Sequence, residues 1–227
     1  MKKKIVLLCL LNCILMTSCS NKHIINDVPF YSQEGVLPTG CELVSSKMVL
    51  EYFNKENVPI DSIVNNTNCK PIEYYNGFYY GYSPDYAFIG DPYDDHGYGC
   101  YPPVVVDMCN SIIKNYKAVD TTGQFIHELC SSFIDKDIPV LLWVTIGLEE
   151  TECGTKWQLI DESGSITNDS FVWTRPEHCI VLVGYDDMYY YCQDPLMKTP
   201  IMQYDKSLVE KRHSDMGYRS VAFIKTS

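Results

Sequence analysis

"HCIVLVGYDDMYYYCQD" (residues 178–194) is two β-rich runs joined by a short polar break, and its pairing decides how the rest of the chain is read. Val, Ile and Tyr dominate both runs and Asp186-Asp187 supplies the turn, so the stretch predicts an antiparallel hairpin. A two- or three-residue turn there sets His178 opposite Asp194 or Pro195. Directly opposed residues share a face with Cβ atoms roughly 4.5–5.5 Å apart. An imidazole and a carboxylate distant in sequence thus become neighbours. In such a pair the carboxylate fixes the imidazole tautomer and leaves the other ring nitrogen for a nucleophile.

A nucleophile is available in "PTGCELVSSKMVLEYF" (residues 38–53). Leu43, Val44, Met48, Val49, Tyr52 and Phe53 recur at helical spacing. Thr39 and Glu42 fit a Thr-x-x-Glu capping box that would start the helix just before Cys41. A thiol in a helix's first turn meets unpaired N–H groups and the positive end of the dipole. Together with a nearby His, that can lower a cysteine pKa from roughly 8.5 to as low as 3–4. A buried, inert thiol is the bland alternative, because free cysteines are among the most buried residues. The His178–Asp194 register tips the balance to a nucleophile.

Around these two segments the chain divides by pattern. "DVPFYSQ" (residues 27–33) predicts a short strand and a loop, and residues 57–66 a short helix after Pro59. Half of the 18 tyrosines fall between Cys69 and Pro103, where they either wall a cleft or cover an extended loop. Helices are expected at 103–117 and 122–136, and strands at 138–147, 155–161, 178–186, 188–194 and 218–225. Trp143 and Trp173 sit in strand-like runs and read as core. Helices first and strands later predict an α+β fold in one domain over residues 27–227.

The first residues differ in kind. Lys2, Lys3 and Lys4 precede an apolar run from Ile5 to Met16, broken by Asn12, that is too short to span a bilayer. It has the length of a signal-peptide core. "LMTSC" resembles a bacterial lipobox, which implies cleavage after residue 18, lipidation of Cys19 and a short tether over 19–26. The expected location is outside the cell on a lipid anchor, or free in the medium if Cys19 is not lipidated. Losing residues 1–18 removes three lysines and makes the formal charge of −11 correspondingly more negative. No Lys/Arg stripe is present, which argues against nucleic acid, and membrane contact is expected only through the anchor.

Eleven cysteines, no CxxC pair and no His/Cys cluster at structural-zinc spacing leave disulfide connectivity open and predict no structural metal. Asp91, Asp94, Asp95 and His96 in "GDPYDDHGYG" read as a turn-rich loop whose Asp side chains cap their own backbone rather than as a cation site. His23, His127 and His213 show no partners in sequence.

The segments "VPFYSQ", "PTGCELVSSKMVLEYF", "FIGDPYDDHGYGCYPP" and "HCIVLVGYDDMYYYCQDP" together resemble the C39-like peptidases of the papain-like clan, over about residues 27–225. The resemblance implies a papain-like fold with the catalytic Cys41 on a helix N-terminus and an antiparallel sheet carrying His178 and Asp194. It also implies that Gln33 donates its side-chain amide to an oxyanion hole beside the Cys41 backbone N–H. Gln33 and Cys41 lie eight residues apart, two more than in papain-type motifs. The implied activity is hydrolysis of a peptide or protein through a thioester, with no cofactor. Amide hydrolysis or acyl transfer on small molecules, and peptide capture without cleavage, are the alternatives. Cleavage specificity and oligomeric state are not legible.

Overall fold

Residues 177–184 are buried without a break, so β10 (Glu177–Tyr185) has neighbours on both edges and both faces. The computed structural model describes residues 22–226, so the expected signal sequence and Cys19 lie outside the described residues. The preceding elements are β1 (His23–Ile24), α1 (Cys41–Asn54), α2 (Ile60–Asn65), β2 (Cys69–Lys70), β3 (Glu73–Tyr75), β4 (Phe78–Gly81) and β5 (Phe88–Ile89). After them come α3 (Pro102–Ile112), β6 (Tyr116–Asp120), α4 (Ile126–Ser132), β7 (Val140–Thr145), β8 (Glu152–Ile160) and β9 (Ile166–Arg175). Following β10 are β11 (Tyr189–Gln193), β12 (Met202–Asp205), α5 (Lys206–Asp215) and β13 (Ser220–Lys225).

The main sheet runs β12-β11-β10-β7-β13-β6, with β1 taking up the edge of β10 where β7 has ended. Its pairings are all antiparallel. Strand alternation gives it two apolar faces. Leu141, Trp143, Cys179, Val181, Val221 and Phe223 pack with the α1 and α3 side. Leu142, Val144, Ile180, Leu182 and Ala222 pack with α4 and with Val209 of α5. A smaller sheet, β3-β4-β8-β9, stands beside the main one.

Helix α1 lies across the main sheet, and every residue from Cys41 to Leu50 is buried. A helix buried on all sides must satisfy each polar side chain. Ser45 donates to the Cys179 carbonyl at 3.0 Å, Ser46 to Glu42 O at 2.6 Å, and Lys47 to Val58 O at 2.7 Å and to Glu51.

Several expectations change. No strand forms over 27–33; instead His23 and Ile24 pair with Tyr185 and Gly184, and Ile25 is buried. The expected tether is therefore part of the fold from His23 onward. The helix expected over 103–117 stops at Ile112, because Asn115 turns through a left-handed conformation (φ 58°) into β6. The 122–136 helix is α4 followed by a short 3₁₀ turn over Ile134–Lys136.

Candidate active site

The hairpin forms one step wider than read from sequence. Asp186 N–H bonds Tyr189 O at 2.9 Å, so the turn is Asp187-Met188 rather than Asp186-Asp187. The ladder pairs Tyr185 with Tyr190 and Val181 with Gln193, with a bulge between Leu182 and Gly184. Asp194 therefore lies just past the end of β11 and bends back. Its Oδ1 still meets His178 Nε2 at 2.7 Å, in a pair almost wholly buried.

Two further contacts fix that carboxylate. Leu196 N–H donates to Oδ1 at 2.9 Å and Tyr204 Oη to Oδ2 at 2.8 Å. The first of these closes a turn; the second comes from β12. Burial pushes the Asp194 carboxyl up, but the hydrogen bonds and the imidazole outweigh it and hold the pKa below the ordinary carboxylate value. Tyr204 was missed in sequence, because a lone Tyr in a polar stretch carries no signal. With Nε2 engaged, Nδ1 is the nitrogen left to a cleft of about 290 Å³ lined by Gln33, Cys41, Tyr98, Trp173, Glu177 and His178 among others.

Cys41 is the first residue of α1, as expected, but the capping box does not form. Gly40 is the N-cap and has no side-chain cap, while Thr39 Oγ1 donates to Asp94 O at 3.0 Å. Glu42 is instead turned inward, fully buried, and accepts from the Cys100 N–H at 2.6 Å. Cys41 Sγ donates to Glu42 Oε2 at 3.3 Å, and no hydrogen bond joins it to His178 or Gln33. The thiol is not lowered as the helix start and a neighbouring His implied. Burial, then Glu42 and Glu177, push it well above the ordinary cysteine value, opposed by a backbone hydrogen bond from Cys179.

Strand alternation explains the second acid. Glu177 and Cys179 point to the α1 side of β10, which brings Glu177 within 4.8 Å of Cys41 and Glu42 through one ligand atom each. Burial raises both carboxyls: Glu42 to about 7, and Glu177 well above the carboxylate range, where Glu42 adds to the effect and Arg219 opposes it. A charged residue opening an otherwise apolar strand was the available signal for Glu177. Glu42 was hidden by its plausible role as a cap.

Gln33 reaches the same cleft in spite of its spacing. Val36 and Leu37 N–H groups bond the Gln33 carbonyl, folding the loop back, and the Gln33 N–H bonds Pro195 O at 2.9 Å. The loop is thus tied to the residue after Asp194. Gln33 Nε2 donates to Pro38 O at 2.9 Å, while Oε1 is buried without a partner.

Of the other candidates, Asp91 and Asp94 cap the N–H groups of Tyr93 and His96, as expected of a turn-rich loop. Among the tyrosines, Tyr98 lines the cleft, whereas Tyr74, Tyr75 and Tyr79 are exposed on the β3–β4 hairpin. Trp143 is core; Trp173 is core and cleft wall at once. His213 is buried between the carbonyls of Trp143 and Gln124, and His23 meets Asp137. The eight described cysteines are all free thiols. Among the described residues no helix is long and apolar enough to cross a membrane.

Known proteins show the same architecture. The chain is 27% identical over 205 residues to the uncharacterized protein YvpB of Bacillus subtilis strain 168, covering 88% of this chain and 75% of that one. A crystal structure from Bacillus anthracis, assigned to the C39-like peptidases, superposes with a TM-score of 0.77 at 27% identity. The match covers 91% of this chain and 98% of the crystallised one. The Peptidase C39 like family matches residues 25–221, nearly the whole described fold, and the chain belongs to that family.

Proposed function

We propose that the protein is an exported cysteine peptidase that hydrolyses peptide bonds through Cys41, His178 and Asp194. The observation that carries this reading is the buried 2.7 Å His178–Asp194 pair in one cleft with a cysteine at a helix N-terminus. Cys41 Sγ attacks the scissile carbonyl while His178 Nδ1 takes the thiol proton. His178 then protonates the leaving amine, and water, deprotonated by the same nitrogen, hydrolyses the thioester. Asp194 holds Nε2–H and stabilises the imidazolium. The Cys41 N–H and the remaining Gln33 amide hydrogen stabilise the oxyanion, each such donor being worth on the order of 10²–10³ in rate. Export, and a lipid anchor at Cys19, belong to the same proposal and rest on residues 1–19 of the sequence.

The second reading, peptide capture without cleavage, draws on the neutral, buried thiol bound to Glu42. Peptidyl chloromethyl ketones separate the two, with the alkylated residue mapped by mass spectrometry. A peptidase alkylates at Cys41 ahead of the exposed Cys153, and His178→Ala abolishes that preference. Label on Cys153 with none on Cys41 would favour capture.

A further inference from the structure

Beyond the proposed triad, Cys41 stands beside two buried acids that the proposed hydrolysis does not use. One ligand atom each from Cys41, Glu42 and Glu177 lies within 4.8 Å of the other two. All three residues are buried, and among the described residues neither carboxylate forms an ion pair. Glu177 is 7% exposed, and its Oε1 has no hydrogen-bond partner. Two buried acids without a counter-ion are costly unless protons or a cation neutralise them.

We propose that Cys41, Glu42 and Glu177 form a binding site for one thiophilic divalent cation of the zinc class. Zinc takes mixed sulfur and oxygen ligands in a tetrahedron, with Zn–S near 2.3 Å and Zn–O near 2.1 Å, which places S and O about 3.6 Å apart. Cys41 Sγ and Glu42 Oε2 are 3.3 Å apart. The ligand set is wrong for calcium or magnesium, which take six or more oxygens. A second shell is also in place. The Cys100 N–H fixes Glu42 Oε1, which leaves Oε2 for the ion. Gly99 makes that approach possible, since a Cβ there would lie 2.4 Å from Glu42 Oε1. Three protein ligands leave the fourth position for water from the cleft.

On binding, a metal–sulfur bond forms as the Cys41 S–H bond breaks, and the thiol proton passes to solvent with any proton that the two carboxyls share. The occupied sulfur cannot attack a carbonyl, so the cation is a reversible inhibitor. That consequence rests on the peptidase reading; the binding does not.

Cobalt(II) and zinc(II) titrations of the chelator-treated protein test it. Cobalt should give a near-ultraviolet thiolate charge-transfer band at one ion per chain, displaced by zinc and lost in Cys41→Ser. Glu177→Gln and Glu42→Gln should each weaken zinc binding at least about tenfold by calorimetry, with folding of each variant checked by circular dichroism. No band with the wild type would overturn the site. So would zinc binding that survives in whichever Glu variant folds but is lost in His178→Ala, which would mean that the ion sits on Cys41 and His178. Because the band is read without substrate, its presence in a protein that cuts no peptide would leave the cation site standing and count against the peptidase alone.

Discussion

Two pairs of titratable groups flank Cys41, and they are built on opposite plans. On one side His178 and Asp194 differ in chemistry, and the carboxylate is held by an imidazole, a backbone N–H and a tyrosine hydroxyl. On the other side Glu42 and Glu177 are alike, share burial with Cys41, and leave one oxygen unpartnered. The first pair is satisfied in a single arrangement and lowers the pKa of its acid. The second raises both of its acids and keeps the thiol neutral at rest. Complementary pairing gives a group ready for proton transfer. Like pairing gives a site that waits for a proton or a cation.

The sharpest way to break this contrast is to remove the proposed base. His178→Ala should lower kcat/KM for peptide cleavage by about 10²–10⁴, the range for general acid–base groups; a loss under tenfold would mean that Glu42, which already receives the thiol hydrogen bond, serves as base. Gln33→Ala should cost about 10²–10³, mostly in kcat, if its amide serves the oxyanion. An equal loss in the melting temperature without a change in kcat would assign it to the loop instead.

The acid pair makes the opposite kind of prediction. A carboxyl whose folded pKa is raised binds its proton more tightly in the folded state. Its favourable contribution is therefore complete below about pH 4.5 and falls away as pH rises toward 7 for Glu42 and beyond for Glu177. In a metal-free buffer, Tm should fall by several degrees between pH 5 and pH 8, at about 2–4 °C per kcal/mol for a chain of this size. Glu177→Gln should flatten that slope, and an unchanged slope would sink the shared-burial account. The smallest effect is expected at Tyr204→Phe, where one hydrogen bond to Asp194 is lost; about 1 kcal/mol of stability and less than tenfold in kcat/KM should go with it.

The proposed triad was legible because its signals are local. A helix start at Cys41 follows from apolar spacing, and a hairpin brings His178 to Asp194 even when the turn is misplaced. That tolerance has a physical source: Asp194 sits in the bend beyond the last ladder pair, so its approach does not depend on strict register. The acid pair was not legible, because Glu177 meets Glu42 only through the packing of α1 on β10, a contact between segments more than a hundred residues apart. Helix α5 was missed for a different reason. Its sequence KSLVEKRHSD has few apolar residues, and the helix is started by Asp205, whose carboxylate accepts the Ser207 and Leu208 N–H groups. Trp173 shows the limit of a binary reading, since one ring both packs in the core and faces the cleft.

The most direct test of the central claim is a digest of an unbiased peptide library, comparing the wild type with Cys41→Ala after chelator treatment of both. Cleavage at a reproducible set of bonds by the wild type and none by the variant is the predicted result. Equal cleavage by both proteins, or none by either once metal has been removed, would contradict it.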